Sequence, residues 1–176
     1  METIRPARIE DAERIAAAER ATVSADEGLL AARPHEVSVE GHRRRIERAE
    51  TEGLYIVAEA DGDLRGHLIL EPIGYESLAH VVQLTIVVHP GCRGQGLGRR
   101  LMNHAIAWGR RSERIERIEL RVRSTNPRAV RLYESLGFEH EGRMRNRIRL
   151  SDRYADDLCM ALWVGGAAEA GGADRT

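Results

Sequence analysis

The stretch that most constrains this chain runs over residues 84–103. An apolar run, Leu84-Thr85-Ile86-Val87-Val88, has the length and composition of a buried strand. It stops at His89-Pro90-Gly91 and gives way to Arg93-Gly94-Gln95-Gly96-Leu97-Gly98, after which a helix is expected from Arg99. Strand, glycine turn and helix together outline an anion cradle. Glycines at alternate positions let the backbone turn tightly and gather successive N–H groups, and the following helix adds partial positive charge at its N-terminus. A diphosphate fits such a site. A tight connection with no ligand is the plain alternative for this segment taken by itself.

Three phosphate motifs compete for the loop. A P-loop ends in Gly-Lys-Ser or Gly-Lys-Thr, and this chain has no lysine at all, so that motif is excluded. A dinucleotide fingerprint counted from Gly94 needs a third glycine where Arg99 stands, and it belongs after the first strand of its unit rather than mid-chain. The remaining pattern is Arg-x-x-Gly-x-Gly, here Arg93, Gly96 and Gly98. It resembles the pyrophosphate loop of the acetyl-CoA-dependent N-acetyltransferases of the GNAT superfamily.

Length and charge narrow the partners. A chain of 176 residues suits one domain, expected over residues 1–164, and residues 165–176 are rich in Gly and Ala without apolar periodicity, which predicts a disordered tail. A net charge of -1 with only two Trp, four Tyr and one Phe argues against a nucleic-acid binder. No signal-like segment or membrane-spanning run is present, so no membrane partner and a cytoplasmic location are expected. Cys92 and Cys159 are expected to be free thiols, and the histidines show no metal-ligand spacing with them, so no metal is expected.

Periodicity supplies the remaining elements. A short strand is expected at residues 3–6, limited by Pro6, and helices at 11–22 and 37–50, the first with Ile9, Ala12, Ile15, Ala16 and Glu19 along one stripe. The arginines at 43, 44, 45 and 48 suit a solvated face of the second helix. A hairpin follows, 55–58 against 64–70, turning at Asp61-Gly62-Asp63, with Leu64, Gly66, Leu68 and Leu70 on one side and Arg65, His67 and Ile69 on the other. The central strand is expected over 79–88 and is apolar on both faces, hence covered on both. A strand at 115–122 returns parallel to it through the helix. Asn126 caps a short helix with Pro127 at its first position and Gly137 past its end, and Tyr133 faces inward. Strands at 138–150 and 154–164 finish the chain, the former alternating arginines with Met144, Ile148 and Leu150 apart from Asn146.

Residues 84–98, then Leu120-x-Val122-x-x-x-Asn126, then 129–138 ending Leu-Tyr-Glu-Ser-Leu-Gly-Phe, together resemble the core pattern of the GNAT superfamily. The resemblance implies an α/β (α+β) single domain with a mixed twisted sheet of about seven strands, about four helices and a central parallel strand pair splayed around the cofactor. It implies acetyl-CoA as cosubstrate, held by Val87 and Val88 at the strand end, by Arg93, Gly94, Gln95, Gly96, Leu97, Gly98 and Arg99 on the pyrophosphate, and by Asn126 on the cofactor arm. It casts Tyr133 as the general acid that protonates the departing thiol, with a strand N–H near Val88 as oxyanion donor. Residues 137–142 and 154–160 more weakly resemble the branch acting on amino-acid derivatives or protein N-termini, and Asp156 is expected to pair with the arginines of the preceding strand.

Direct attack needs a neutral amine. An alkylamine of pKa about 10.4 is neutral on the order of once in 10³ molecules at pH 7, whereas roughly a tenth or more of an α-amine near 7.7 is neutral. The central strand carries no carboxylate to serve as a base, leaving His80 at its start or Glu119 on its neighbour as candidates, and this favours an α-amino acceptor. The expectation is an acetyltransferase for the primary amine of a small molecule, an amino acid or aminoacyl derivative. A ribosomal-type protein N-terminal acetyltransferase and a catalytically silent acyl-CoA-binding module are the alternatives. A homodimer through exposed strand edges is also open.

Overall fold

The computed structural model describes residues 2–25, 28 and 30–165. The tail expected from residue 165 lies outside the described residues except for Gly165. Seven strands form one sheet: β1 Glu2–Pro6, β2 Leu54–Ala60, β3 Asp63–Pro72, β4 Val81–Val88, β5 Arg117–Arg123, β6 Glu139–Arg149 and β7 Tyr154–Trp163. Their order across the sheet is β1-β2-β3-β4-β5-β7-β6, and every neighbouring pair is antiparallel except β4 and β5. Four helices complete the fold: α1 Ala12–Ala25, α2 Val39–Glu52, α3 Leu97–Arg111 and α4 Pro127–Glu134. No described helix is long and apolar enough to cross a membrane.

Each face of the sheet has its own core. Leu68, Leu70, Val82, Leu84, Ile118 and Leu120 meet Leu97, Leu101, Met102 and Ala105 of α3 and Tyr133 of α4. On the other face Tyr55, Val57 and Ile69 meet Ala12 and Ile15 of α1 and Ile46 of α2. A strand covered on both sides must be apolar on both sides, and this is what the central run of β4 expresses.

Several boundaries and one face differ from the sequence reading. Arg8 to Asp11 makes a tight turn before α1, because the Asp11 carboxylate accepts the Arg8 N–H at 2.8 Å and pairs with Arg5. Ser38 caps α2 by accepting the Gly41 N–H at 3.0 Å, so the helix starts two residues later than expected. Helix α3 begins at Leu97 rather than Arg99, and β4 begins at Val81, since residues 76–78 form a 3-10 turn. Leu64 does not share a side with Leu68. The β2–β3 register jumps from Ala58↔Gly66 to Glu59↔Leu64, so Arg65 is an extra, bulged residue and Leu64 turns to the α1–α2 core. In β6 the alternation also breaks: Met144 pairs with Asp157 and Ile148 with Ala155, leaving three residues opposite Asp156. Asn146 occupies the left-handed region at φ 51 and donates its N–H to Asp156 at 2.7 Å. Arg143 also bonds Asp156, as the sequence reading expected of that carboxylate.

Candidate active site

The one parallel pair is where the sheet opens. β4 and β5 keep register only from Val81↔Arg117 to Leu84↔Leu120. Beyond Leu84 the strands part, and the ends of β4 and β5 flank a gap rather than a ladder. Two helix N-termini point at it. The glycine loop leaves β4 and enters α3 at Gly96, whose φ of 77 is a backbone conformation that side chains resist. Asn126 caps α4 by accepting the Ala129 N–H at 3.1 Å, with Pro127 at the first helical position. Each helix brings unpaired N–H groups and partial positive charge to the same opening.

A cavity of about 540 Å³ fills the space between them. Of the residues singled out in sequence, Val88, Arg93, Gly94, Gly96, Leu97, Gly98, Arg99, Asn126 and Tyr133 all line it. Two do not. Gln95 is exposed and its side-chain amide donates to Gly91 O at 3.3 Å, and the buried side chain of Val87 alternates to the opposite face of the sheet from Val88. A Cβ at Gly98 would stand 3.3 Å from Leu132 and 3.9 Å from Val88, and one at Gly96 would stand 3.3 Å from Arg100. Arg93 Nε donates to Val88 O at 3.0 Å, and Arg99 Nη2 to Ser135 Oγ at 2.7 Å.

The chemistry of the lining is lopsided. Arg93, Arg99, Arg123 and Arg128 contribute cationic side chains, and no aspartate or glutamate appears among the described lining residues. Arg123 is buried and forms an ion pair with Asp157 across the β5–β7 ladder. Tyr133 lies on the wall against Phe138, with ring centroids 5.9 Å apart, and burial pushes its phenol up to about 12, so the hydroxyl keeps its proton throughout the working range.

Arg123, Thr125, Arg128, Cys92 and Gly28 also line the cavity and were not assigned to it from sequence. Arg128 could have been found, since it sits in the first turn of the helix that Asn126 caps. Gly28 carried no local signal, because the cavity residues it joins lie far from it in sequence. The two base candidates fall elsewhere. His80 precedes β4 at the end opposite Val88, with its ring near Trp163, and Glu119 is paired with Arg117 beside Gln83.

The other face of the sheet carries a second cavity, of about 460 Å³, lined by Arg44, Arg45 and Arg48 of α2 together with Glu19, His42 and Glu71. Its three arginines are all engaged: Arg45 with Glu71 at 3.4 Å, Arg44 with Glu40 at 3.4 Å and Arg48 with Glu52 at 3.0 Å.

Comparison with known proteins agrees with this geometry. The acetyltransferase (GNAT) family profile matches residues 22–138. An L-amino acid N-acetyltransferase of Escherichia coli is 32% identical over 106 residues, 60% of this chain and 65% of that protein. A spermidine N(1)-acetyltransferase of Vibrio cholerae is 31% identical over 102 residues, 58% of each chain. The matched stretch therefore spans less than two thirds of either relative. The structure of yncA from Salmonella typhimurium with its cofactor acetyl-CoA superposes with a TM-score of 0.86, at 23% identity, over 96% of both chains. With a seven-stranded mixed sheet, a parallel β4–β5 pair that parts at its end, and a family match over most of its length, the chain belongs to the GNAT acetyltransferase family.

Proposed function

We propose that the chain transfers an acetyl group from acetyl-CoA to the primary amine of a small molecule, an amino acid or aminoacyl derivative. The observation that carries this reading is one cavity walled at once by the α3 glycine cradle, the parted end of β4 and Tyr133. The absence of a carboxylate among the described lining residues disfavours a polyamine, whose several ammonium groups need anionic partners.

The residues present suit acetyl-CoA. Its diphosphate matches the N–H groups of residues 93–99 with Arg93, Arg99 and Arg128 around them, and the close pass of Gly98 by Leu132 leaves the cradle without a side chain that would fill it. When bound, acetyl-CoA supplies the acetyl group as an activated thioester. The chain supplies position and protons. Arg93 holds the loop to Val88, and Asn126, whose carbonyl oxygen is spent on the α4 cap, keeps its amide N–H groups for the ligand arm. The parted end of β4 offers main-chain groups that no strand partner on the β5 side has taken. Tyr133 holds a proton at its hydroxyl for the sulfur. Arg123, at the end of β5, lines the cavity with its charge already met by Asp157.

The test is an amine panel with acetyl-CoA, followed by free-thiol release: free L-amino acids, amino-acid amides, spermidine and a peptide with a free N-terminal alanine. Turnover of amino acids or their amides with kcat/KM above that of spermidine is expected. A preference for spermidine overturns the acceptor class, and a preference for the peptide replaces it with a protein N-terminus.

A further inference from the structure

The cavity of about 460 Å³ on the α1–α2 face has a floor and a rim of different character. Its floor is Glu19 of α1 and His42 of α2, 7% and 2% exposed, with Ala32 and Val37 beside them. Its rim carries the half-exposed side chains of Arg45 and Arg48, the exposed Arg44, and Glu36 and Glu71. Gly41, Arg44, Arg45 and Arg48 stand three and four residues apart, so one face of α2 forms this wall.

Glu19 is a buried carboxylate whose bonding is incomplete. Burial acts against its charge, but the hydrogen bond and charge of His67, then His42 and Arg45, outweigh it and keep the carboxyl below its ordinary pKa. It is therefore ionised at neutral pH. Asp11, also buried, shows how this chain satisfies such a group: Oδ1 accepts from Arg5 at 2.9 Å, and Oδ2 accepts from Arg5 at 2.7 Å and from the Arg8 N–H at 2.8 Å. On Glu19, Oε2 meets His67 Nε2 at 3.1 Å, while Oε1 accepts no hydrogen bond from any described residue. Nor is Oε1 one of the polar atoms shut in without a partner, so it opens onto the cavity that Glu19 lines. A buried anion with a bare oxygen is costly unless a donor reaches it.

Arg45 supplies the opposite charge within reach of the same floor, since it acts electrostatically on both Glu19 and His42. Its Nε faces Glu71 at 3.4 Å, and no described residue accepts a hydrogen bond from its guanidinium. The cavity thus presents an acceptor at its floor, unspent donors at its rim and an apolar patch at Ala32 and Val37. A short zwitterion with an apolar side chain complements all three. A polyamine satisfies only the first, because its further ammonium groups meet a rim of three guanidiniums.

We propose that this cavity is a second small-molecule site that takes a free apolar α-amino acid, with its ammonium on Glu19 Oε1, its carboxylate on Arg45 and its side chain against Ala32 and Val37. The inference does not rest on the acetyl-transfer reading: among the described residues none lines both cavities. The ammonium brings the donors that Oε1 lacks, and the carboxylate takes a charge-assisted bond from the guanidinium.

The test is a titration of the 15N-labelled full chain, without acetyl-CoA, followed through its amide signals. L-Leucine is expected to move the signals of Gly41 and His42 with a Kd below about 10 mM. N-acetyl-L-leucine, which has no ammonium, and L-leucinamide, which has no carboxylate, are each expected to bind about tenfold more weakly or worse. Glu19→Gln keeps an oxygen for His67 and is expected to raise the Kd for L-leucine about tenfold or more. Arg45→Gln, on the half-exposed rim, is expected to do the same and keeps the test decisive should Glu19→Gln fail to fold. Unmoved signals at Gly41 and His42, or shifts confined to residues 93–99 and Tyr133, overturn the proposal. So does L-leucinamide or spermidine binding as tightly as L-leucine, or an unchanged Kd in the folded variants.

Discussion

The Nε of Arg93 donates to the carbonyl oxygen of Val88 at 3.0 Å, tying the glycine loop back onto the strand it has just left. This bond couples two halves of the site that sequence spacing can only set side by side: the cradle proposed for a diphosphate and the strand end proposed for the acetyl group. Because the arginine spans five residues of a loop rich in glycine, it restricts a segment with large conformational freedom before any ligand arrives.

Filling the cradle should weaken acetyl-CoA binding without touching the chemistry. In Gly98→Val the first added carbon already stands 3.3 Å from Leu132 and 3.9 Å from Val88, so the branch adds bulk at the cavity wall. KM for acetyl-CoA is expected to rise about tenfold or more with kcat largely retained, a pattern of lost binding common to ground and transition states. Steady-state kinetics with varied acetyl-CoA checks it.

Tyr133→Phe removes a hydroxyl that keeps its proton because burial has pushed the phenol up to about 12. The ring still packs against Phe138, so melting should change little. The expected result is a fall in kcat of about 10² or more, with KM for acetyl-CoA nearly unchanged. Equal kcat in the two proteins would assign the residue to the core alone.

The ion pair of Arg123 and Asp157 is closed off from water on both sides, with the two residues 7% and 2% exposed. Asp157→Asn leaves a buried guanidinium without its counter-charge, and the expected loss is about 3–5 kcal/mol of unfolding free energy. Arg123→Met with Asp157→Leu together should cost far less than either single change. Urea denaturation of the three variants makes the comparison.

Acid should destabilise the protein early. Burial lowers the pKa of both His42 and His89 to about 4, against an ordinary value of 6.5. Between those values the unfolded chain binds more protons than the folded one, so stability is full above about pH 6.5 and falls on acidification toward pH 4, at up to about 1.4 kcal/mol per pH unit for each imidazole. Asp11, held below its ordinary pKa first by its hydrogen bond to Arg5, adds to the loss at lower pH with the same sign. Urea midpoints near pH 7 and pH 5 should differ clearly, and His42→Asn should shrink the difference by removing one of the two titrations.

The parts of the site that were legible in sequence are those set by local backbone. The turn at residues 91–98, the cap at Asn126 and the inward face of Tyr133 follow from residues within a few positions of one another, and the cavity gathers nearly all of them. What escaped depends on packing between distant elements. Glu19 fell on the apolar stripe of α1, a sign that a carboxylate was buried, yet its partner His67 lies 48 positions away on a strand whose register shifts at the Arg65 bulge. Arg123 alternated away from the inward residues of β5, and only the placement of β7 shows that this face is closed by Asp157.

Amide hydrogen exchange with and without acetyl-CoA tests the central claim most directly. Added protection is expected in residues 93–99, at the end of β4 and at the start of α4, the three segments that converge on the cavity. Protection absent from the glycine loop, or confined to the face covered by α1 and α2, would contradict it.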